Sequence, residues 1–329
     1  MAQIVRFHEN GGPEVLRVEE GDPGEPGPGE VLLKIDAIGL NRSEAAFRGG
    51  HYLVKAPLPS KVGVEASGTI IKVGPGVEGL VVGDAVNTLP AFPVGKYGVY
   101  ASEAVIPANA LLKIPEGIDP VQSAGTWMAY LTAYGGMVES GALKAGEFVI
   151  ITAASSSVGL AAIQIAKDYG AIPIGATRGS SKAEAIRAAG AAHVIATDEQ
   201  DIVAEVQRIT DGKGVSLIFD PVGGPYAEKL AECLTDEGVL IIYGGLANAP
   251  MTFPRQVAIR RNLWIRGYSI FALVGDKQRL AKAQDYLTPR LRDGRFTMPI
   301  ATTIPLANAP EAHRVLEANQ HIGKIVMVP

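Results

Sequence analysis

The stretch Thr152-Ala-Ala-Ser-Ser-Ser-Val-Gly159 follows a short apolar run, Phe148 to Thr152, and leads into a helix-like segment, Leu160 to Tyr169. A turn from a buried strand into a helix presents unpaired backbone N–H groups at the positive helix end, where a dinucleotide pyrophosphate can rest. Ser155, Ser156, Ser157 and Val158 are therefore candidate cofactor residues. The pattern reads Ala153-x-x-Ser156-x-x-Gly159, with serine at the middle position where glycine usually lets backbone approach the phosphates. The hydroxyls of Ser156 and Ser157 either replace part of that contact as donors, or their Cβ atoms hold the cofactor away. A serine cap on an ordinary core helix is the structural alternative. About twenty residues on, where an acidic side chain would bind the ribose 2′-hydroxyl of NAD, the chain reads Ala176-Thr-Arg-Gly-Ser-Ser-Lys182. Arg178 and Lys182, with Thr177 and the serines as donors, suit the additional 2′-phosphate of NADPH, because a guanidinium pairs with phosphate through two hydrogen bonds. A solvated loop before a capped helix is the alternative there.

The elements that must hold these residues are legible as a change of texture. Up to about residue 110, short Val/Ile/Leu runs such as Glu30 to Ala37, Ser67 to Val73 and Asp84 to Thr88 alternate with turn clusters, which predicts a β-rich domain. From about Ser123, apolar runs alternate with helical stretches, the pattern of a parallel sheet covered on both faces. Strands are expected at Phe148 to Thr152, Ile172 to Ala176, His193 to Ala196, Leu217 to Phe219, Val239 to Tyr243 and Leu263 to Arg266. Helices are expected near Leu160 to Tyr169, Lys182 to Ala189, Ile202 to Thr210, Tyr226 to Leu234 and Arg255 to Arg260. The fold class is therefore α/β, a Rossmann doubly wound parallel sheet beside a β-rich domain. The tail from about Tyr268 has a polar helix (Gln278 to Asp293), a second near Ala309 to Glu317 and a strand at Lys324 to Val328. It is too short to fold alone and is expected to pack back on the N-terminal part.

Composition narrows the function. The 329 residues are 47% hydrophobic and 19% charged with a net charge of −4, which excludes a disordered chain and argues against polyanion binding as the main task. The single Cys233 excludes an intramolecular disulfide framework and a Cys-rich metal site, and fits a reducing, cytoplasmic setting. The most apolar long window, Phe148 to Ala166, is interrupted by Thr152, three serines, Gly159 and Gln164, so no membrane span is expected. The five histidines form no paired-ligand spacing.

A series of motifs running along nearly the whole chain closely resembles the medium-chain dehydrogenase/reductase superfamily, in particular its zinc-free quinone oxidoreductase branch. The marks are Gly11-Gly-Pro-Glu-Val-Leu16, Pro28-Gly-Glu-Val-Leu-Leu-Lys-Ile35, Gly39-Leu-Asn41 followed by Arg48-x-Gly-x-Tyr52, and Gly63-Val-Glu-Ala-Ser-Gly68. Val82-Gly-Asp-Ala-Val86, Leu131-Thr-Ala-Tyr134, Gly159-Leu-Ala-Ala-Ile-Gln164 and Asp220-Pro-Val-Gly-Gly224 follow in order. The resemblance implies a GroES-like catalytic domain, residues 1–124 with 267–329, and a Rossmann domain, residues 125–266. Zinc-binding relatives place Cys and His at two sites that read here Asn41-Arg-Ser-Glu44 and Gly63-Val64-Glu65, so thiolate and imidazole are both missing. The four-cysteine structural zinc lobe is missing too, and no metal is expected.

Without a Lewis acid, the expected reaction leaves negative charge on a conjugated oxygen, as in reduction of a quinone or an α,β-unsaturated carbonyl by NADPH. The resemblance assigns Tyr52 to the nicotinamide cleft, as proton donor or as an aromatic wall, and Asn41 beside it, with a structural turn as its alternative role. It also implies cofactor contacts at Tyr243, Gly244, Leu246, Ser269, Phe271 and Lys324, and a homodimer. His51 adjoins Tyr52, and Phe92, Trp127 and Met128, with Tyr97, supply apolar surface for an acceptor pocket. Ala46 and Ala129 stand where relatives carry tyrosine and lysine, which leaves the identity of the acceptor open. Competing readings are an NADP-dependent aldehyde or alcohol dehydrogenase, which needs a strong carbonyl polariser, and an RNA-binding relative using Arg255, Arg260, Arg261 and Arg266 near Trp264. The acidic chain weighs against the second.

Overall fold

The computed structural model describes residues 1–115 and 117–329. The N-terminal part runs β1 (Ala2–Phe7), β2 (Arg17–Gly21), β3 (Glu30–Gly39), α1 (Arg42–Arg48), β4 (Ser60–Lys61), β5 (Ala66–Val73), β6 (Ala85–Thr88), α2 (Val94–Tyr97), β7 (Glu103–Pro107), β8 (Leu111–Lys113) and α3 (Pro120–Ala124). A buried helix, α4 (Trp127–Ala133), continues as a wider helical turn over Tyr134–Ser140. Next come β9 (Phe148–Ile151), α5 (Ser157–Asp168), β10 (Ile172–Thr177), α6 (Ala183–Ala188), β11 (His193–Ala196) and α7 (Ile202–Ile209). They are followed by β12 (Val215–Asp220), α8 (Ala227–Glu232), β13 (Leu234–Ile242), α9 (Arg255–Arg261), β14 (Trp264–Gly267) and α10 (Phe271–Val274). The chain closes with α11 (Lys277–Arg292), β15 (Ile300–Pro305), α12 (Ala309–Ala318) and β16 (Lys324–Val328).

Two compact units result, residues 1–128 with 284–329 and residues 129–283. In the first, the long strand β3 is the spine: it pairs antiparallel with β5, β7 and the C-terminal β16. From Gln284 on the tail packs as expected, with β16 joining the sheet through Val326 opposite Gly39 and Met327 opposite Ile38 and β15 outside it, whereas residues 268–283 belong to the second unit. Val5, Leu33, Ile38, Phe47, Ile70 and Met327 meet in the core of this unit.

The second unit is a six-stranded parallel sheet in the order β11-β10-β9-β12-β13-β14, the doubly wound arrangement expected from the alternating texture. Its strands are apolar almost continuously because helices cover both faces. Two elements differ from the sequence expectation. The helix expected to reach Leu234 ends at Glu232: Arg261 donates to the carbonyls of Glu232 and Leu234, capping the helix end and turning Leu234 onto Val215 of β12. The helical run over residues 127–140 carries no amphipathic stripe because it is buried on most sides, and its glycines are there for contact. A Cβ on Gly136 would lie 2.3 Å from the Phe219 ring. Among the described residues no helix is long and apolar enough to cross a membrane.

Candidate active site

In the first unit, Asn41 is the junction. It precedes α1, and the Glu44 carboxylate three residues on accepts its backbone N–H at 2.8 Å, half of a capping box that fixes the helix start. The Asn41 amide donates to the Gly39 carbonyl (3.2 Å) and to Glu65 Oε2 (3.1 Å), while its Oδ1 accepts from Lys324 Nζ at 2.8 Å. Lys324 Nζ also donates to Glu65 Oε2 at 2.6 Å, and the two side chains are 1% and 2% exposed. Glu65 Oε1 in turn accepts the backbone N–H of Met128 at 2.8 Å, near the start of α4. Gly39 makes room for this cluster, since a Cβ there would sit 2.0 Å from the Ala124 carbonyl and 2.9 Å from Lys324 Cε. Both Asn41 amide protons are thus engaged inside the protein, and Lys324, for which the resemblance implies a cofactor contact, is sealed from solvent.

This donor set does not fit zinc. Among the described residues no group of three or more His, Cys, Asp or Glu side chains could hold a metal ion. Glu65, the buried carboxylate that accepts from the Asn41 amide, already holds the Lys324 ammonium group, with which a metal would have to compete.

Glu44 is buried and accepts from Tyr100 Oη (2.6 Å) and from the backbone N–H of Val64 (3.0 Å) as well as Asn41. Burial raises its pKa to about 7, against the pull of these hydrogen bonds and of Lys324. Tyr52 follows α1 on the loop after Gly50; its ring meets Phe47 edge-on at 6.5 Å and Phe47 meets Phe7 in the same way. Its phenol is hydrogen-bonded to the Ser43 side chain, and burial, followed by the negative charge of Glu44, pushes its pKa up. Tyr52 therefore keeps its proton at neutral pH and sits on a rigid aromatic stack, as a donor requires. The neighbouring His51 is exposed beside Gly49. Phe92 is buried in the core against Tyr97, whose hydroxyl is tied to Glu30, and Trp127 is buried as well. Met128 is half-buried.

In the second unit, the candidate cofactor residues gather at the carboxyl ends of the parallel strands, where ligands of such sheets bind. After β9, Ala153 takes a left-handed conformation (φ 46°) and the Ser156 hydroxyl caps α5 by accepting the Gly159 N–H at 3.1 Å. Ser156 therefore takes the cap role that the sequence left as the alternative to phosphate contact. The N–H groups of Ser157 and Val158, with no carbonyl four residues back inside the helix, are the ones left for an anion, flanked by the half-buried Ser155. Gly159 keeps the close approach of its motif, since a Cβ would lie 2.6 Å from the Ala153 carbonyl. The Asp220 carboxylate at the end of β12 binds the Thr152 hydroxyl and the N–H groups of Val222 (3.1 Å) and Gly223 (2.8 Å), locking the turns of the two strands at the switch in strand order.

After β10, Thr177 is buried, Arg178 exposed and Lys182 half-buried. Burial and then the charge of Arg178 lower the Lys182 pKa, so two cations repel each other at a place where a phosphate would bring relief. A carboxylate does stand near them, hidden in the sequence order: Glu199, in the turn after β11, accepts the Ser180 N–H at 2.8 Å. The parallel pairing of β10 with β11 brings that turn alongside Arg178. Tyr243, after β13, stacks on Phe219 with ring centroids 4.0 Å apart, and its buried hydroxyl has no hydrogen-bond partner among the described residues. Gly244 and Leu246 follow it, and Ser269 and Phe271 lie after β14. These residues fit an extended dinucleotide along the strand ends.

Comparison with known proteins agrees with this arrangement. Residues 27–116 match the alcohol dehydrogenase GroES-like domain and residues 157–287 match the zinc-binding dehydrogenase family. The chain is 33% identical to a 2-haloacrylate reductase from a Burkholderia species, covering 100% of this chain and 99% of the relative. It superimposes on the crystal structure of Escherichia coli quinone oxidoreductase complexed with NADPH with a TM-score of 0.93, at 31% identity over 100% of both chains. It also superimposes on an NAD-dependent alcohol dehydrogenase with a TM-score of 0.90, at 30% identity over 100% of both chains.

Proposed function

The chain belongs to the medium-chain dehydrogenase/reductase superfamily, in its zinc-independent quinone oxidoreductase branch, and from that premise we propose that it reduces quinones and α,β-unsaturated carbonyl compounds with Tyr52 as proton donor. The activity depends on NADPH and needs no zinc. The cofactor, when bound, supplies the hydride.

The chain's own groups do the rest. Ser157 and Val158 N–H, with Ser155, would hold the pyrophosphate; Thr177, Arg178 and Lys182 the 2′-phosphate; Tyr243, Gly244, Leu246, Ser269 and Phe271 the nicotinamide end. Asn41 and Lys324 act as internal supports of the first unit, because their polar groups are already committed to Glu65 and Gly39. His51 and Met128 border the acceptor beside Tyr52, while Phe92 and Trp127 serve it as core behind the wall. Reduction of a conjugated carbonyl leaves one negative charge on oxygen, and Tyr52 Oη gives up one proton to it, later restored from water.

The observation that carries this reading is the Lys324–Glu65–Asn41 cluster. It fills the metal-ligand region with an ammonium ion, so a reaction that must polarise an isolated carbonyl through a metal has no place there. This weighs against the aldehyde or alcohol dehydrogenase alternative. NADPH oxidation against a series of quinones, enones and simple aldehydes tests it: turnover confined to the conjugated acceptors is expected, and preferential reduction of simple aldehydes would overturn it.

We also propose a homodimer through β14. Among the described residues that strand pairs only with β13, and Trp264 on it (67% exposed) leaves an exposed aromatic side chain at the sheet edge, with Ile259 and Phe253 also exposed in the segment that leads to it. An RNA-binding role is not assigned, as Arg260 pairs with Glu232 and Arg261 is spent on backbone carbonyls. The buried Cys233 fits the cytoplasm.

A further inference from the structure

Five side chains of the first unit, none of which the reduction itself uses, form one continuous line of hydrogen bonds. Glu317 on α12, about a third exposed, pairs with Arg48 Nη2 at 2.6 Å. Arg48 Nη1 lies 2.8 Å from His313 Nδ1, His313 Nε2 lies 3.2 Å from Tyr100 Oη, and Tyr100 Oη lies 2.6 Å from Glu44 Oε2. The line crosses from α12 to the end of α1, back through α12 to the chain before β7, and ends under the start of α1.

The line has a single direction. A guanidinium only donates, so His313 Nδ1 must accept, and the proton of the neutral imidazole then sits on Nε2. Burial, followed by the charges of Arg48 and Arg42, depresses the His313 pKa to about 3, so the ring is neutral at working pH. With Nε2–H aimed at it, Tyr100 Oη must accept, and its own proton is left for Glu44. The backbone N–H groups of Asn41 and Val64 also donate to Glu44. Among the described residues all three hydrogen-bond partners of the Glu44 carboxylate therefore donate, and a proton on Glu44 would face donors there.

The charged and titratable surroundings are consistent with this. Ser43 and Arg48 share α1 with Glu44, Glu65 and Lys324 lie across Asn41, Tyr100 and His313 stand behind, and Tyr52 lies on the loop that leaves α1. The positive charge of Lys324 favours the Glu44 carboxylate, and the Glu44 charge in turn disfavours a Tyr52 phenolate.

We propose that Arg48, acting through His313 and Tyr100, holds Glu44 as a buried carboxylate, and that this carboxylate is a positioning residue that fixes the start of α1 and keeps Tyr52 protonated for its role. The part concerning Tyr52 rests on the reductase reading; the direction of the line does not. Loss of the Glu44 charge would weaken the hydrogen bond it accepts from Asn41 N–H and remove the negative field on Tyr52 together. Because burial places the Glu44 pKa at about 7, turnover should fall on the acid side of neutrality.

Two measurements on the full chain test this. Nitrogen-15 shifts of the His313 ring should report the neutral Nε2–H tautomer from about pH 5 to about pH 8. A Nδ1–H tautomer or a charged ring would overturn the proposal. In the pH profile of NADPH–quinone turnover, Tyr100→Phe removes one donor from Glu44 and should move the acid limb upward by about one unit, a tenfold change in proton concentration. Glu44→Gln should remove that limb and lower kcat with little change in the Kd for NADPH. A Tyr100→Phe profile that superimposes on the wild type overturns the proposal even if Glu44→Gln does not fold. A wild-type protein with no turnover would overturn the reductase reading and the role of Tyr52, while the tautomer still decides the direction of the line.

Discussion

Lys324 Nζ lies 2.6 Å from Glu65 Oε2, and neither side chain reaches solvent. The pair joins the final strand, β16, to the loop before β5 and, through Glu65 and Met128 N–H, to the start of α4. Removing one partner of such a pair leaves an uncompensated buried charge, at a cost of about 3–5 kcal/mol. Lys324→Met or Glu65→Met alone should lower the unfolding free energy by roughly that amount, whereas the double variant Lys324→Met/Glu65→Met should recover most of it. Urea denaturation of the four proteins checks this, and additive losses would show that the two side chains are not coupled.

Tyr52→Phe keeps the ring on Phe47 and removes only the acidic proton. If Tyr52 is the donor, kcat should fall by roughly 10²–10³-fold with the Kd for NADPH nearly unchanged. Undiminished kcat, measured by stopped-flow NADPH oxidation, would assign Tyr52 to the cofactor wall alone.

The charge of Arg178 disfavours that of Lys182, and Glu199 holds the nearby Ser180 N–H. Arg178→Ala should weaken NADPH binding by about 10–100-fold, the worth of charge-assisted bonds, and leave NADH binding almost untouched. Equal losses for the two nucleotides, by fluorescence titration, would place the 2′-phosphate elsewhere.

The buried pair His313 and Glu44 shapes stability against pH in opposite ways. His313 falls from 6.5 to about 3, so its contribution is present above pH 6.5 and is lost as pH falls toward 3. Glu44 rises from 4.5 to about 7, so its contribution is full below 4.5 and is lost as pH rises through 7. Below pH 4.5 only the His313 effect should remain. His313→Gln should flatten the acid-side decline by roughly 5 kcal/mol in total, at about 1.4 kcal/mol per unit. Chemical denaturation across pH checks it; an unchanged acid limb would mean that His313 is not buried neutral.

Much of this was legible in the sequence, for identifiable reasons. The parallel sheet was visible because buried strands read as continuous apolar runs, and the turn at Thr152–Gly159 because strand, turn and helix follow one another locally. Local pattern was equally the limit. Asn41-x-x-Glu44 is a helix-start signal that gives the position of α1, but as residues compared with zinc ligands their capping role went unread. Glu199 meets Ser180 only through the pairing of two parallel strands, and Lys324 meets Glu65 across 259 positions, so no spacing rule connects either pair. Tyr100 and His313 lie in no motif and Arg48 only in the one that leads to Tyr52; their joint meaning lies in which atom can only donate, which the folded arrangement alone supplies.

The central claim is a reductase whose cation at the metal-ligand region is the Lys324 ammonium. Its most direct test is the rate of NADPH oxidation with 1,4-benzoquinone by protein treated exhaustively with a zinc chelator, before and after addition of zinc. The account requires full turnover in the metal-stripped protein and no gain from zinc. Activity lost on chelation and restored by zinc would contradict it.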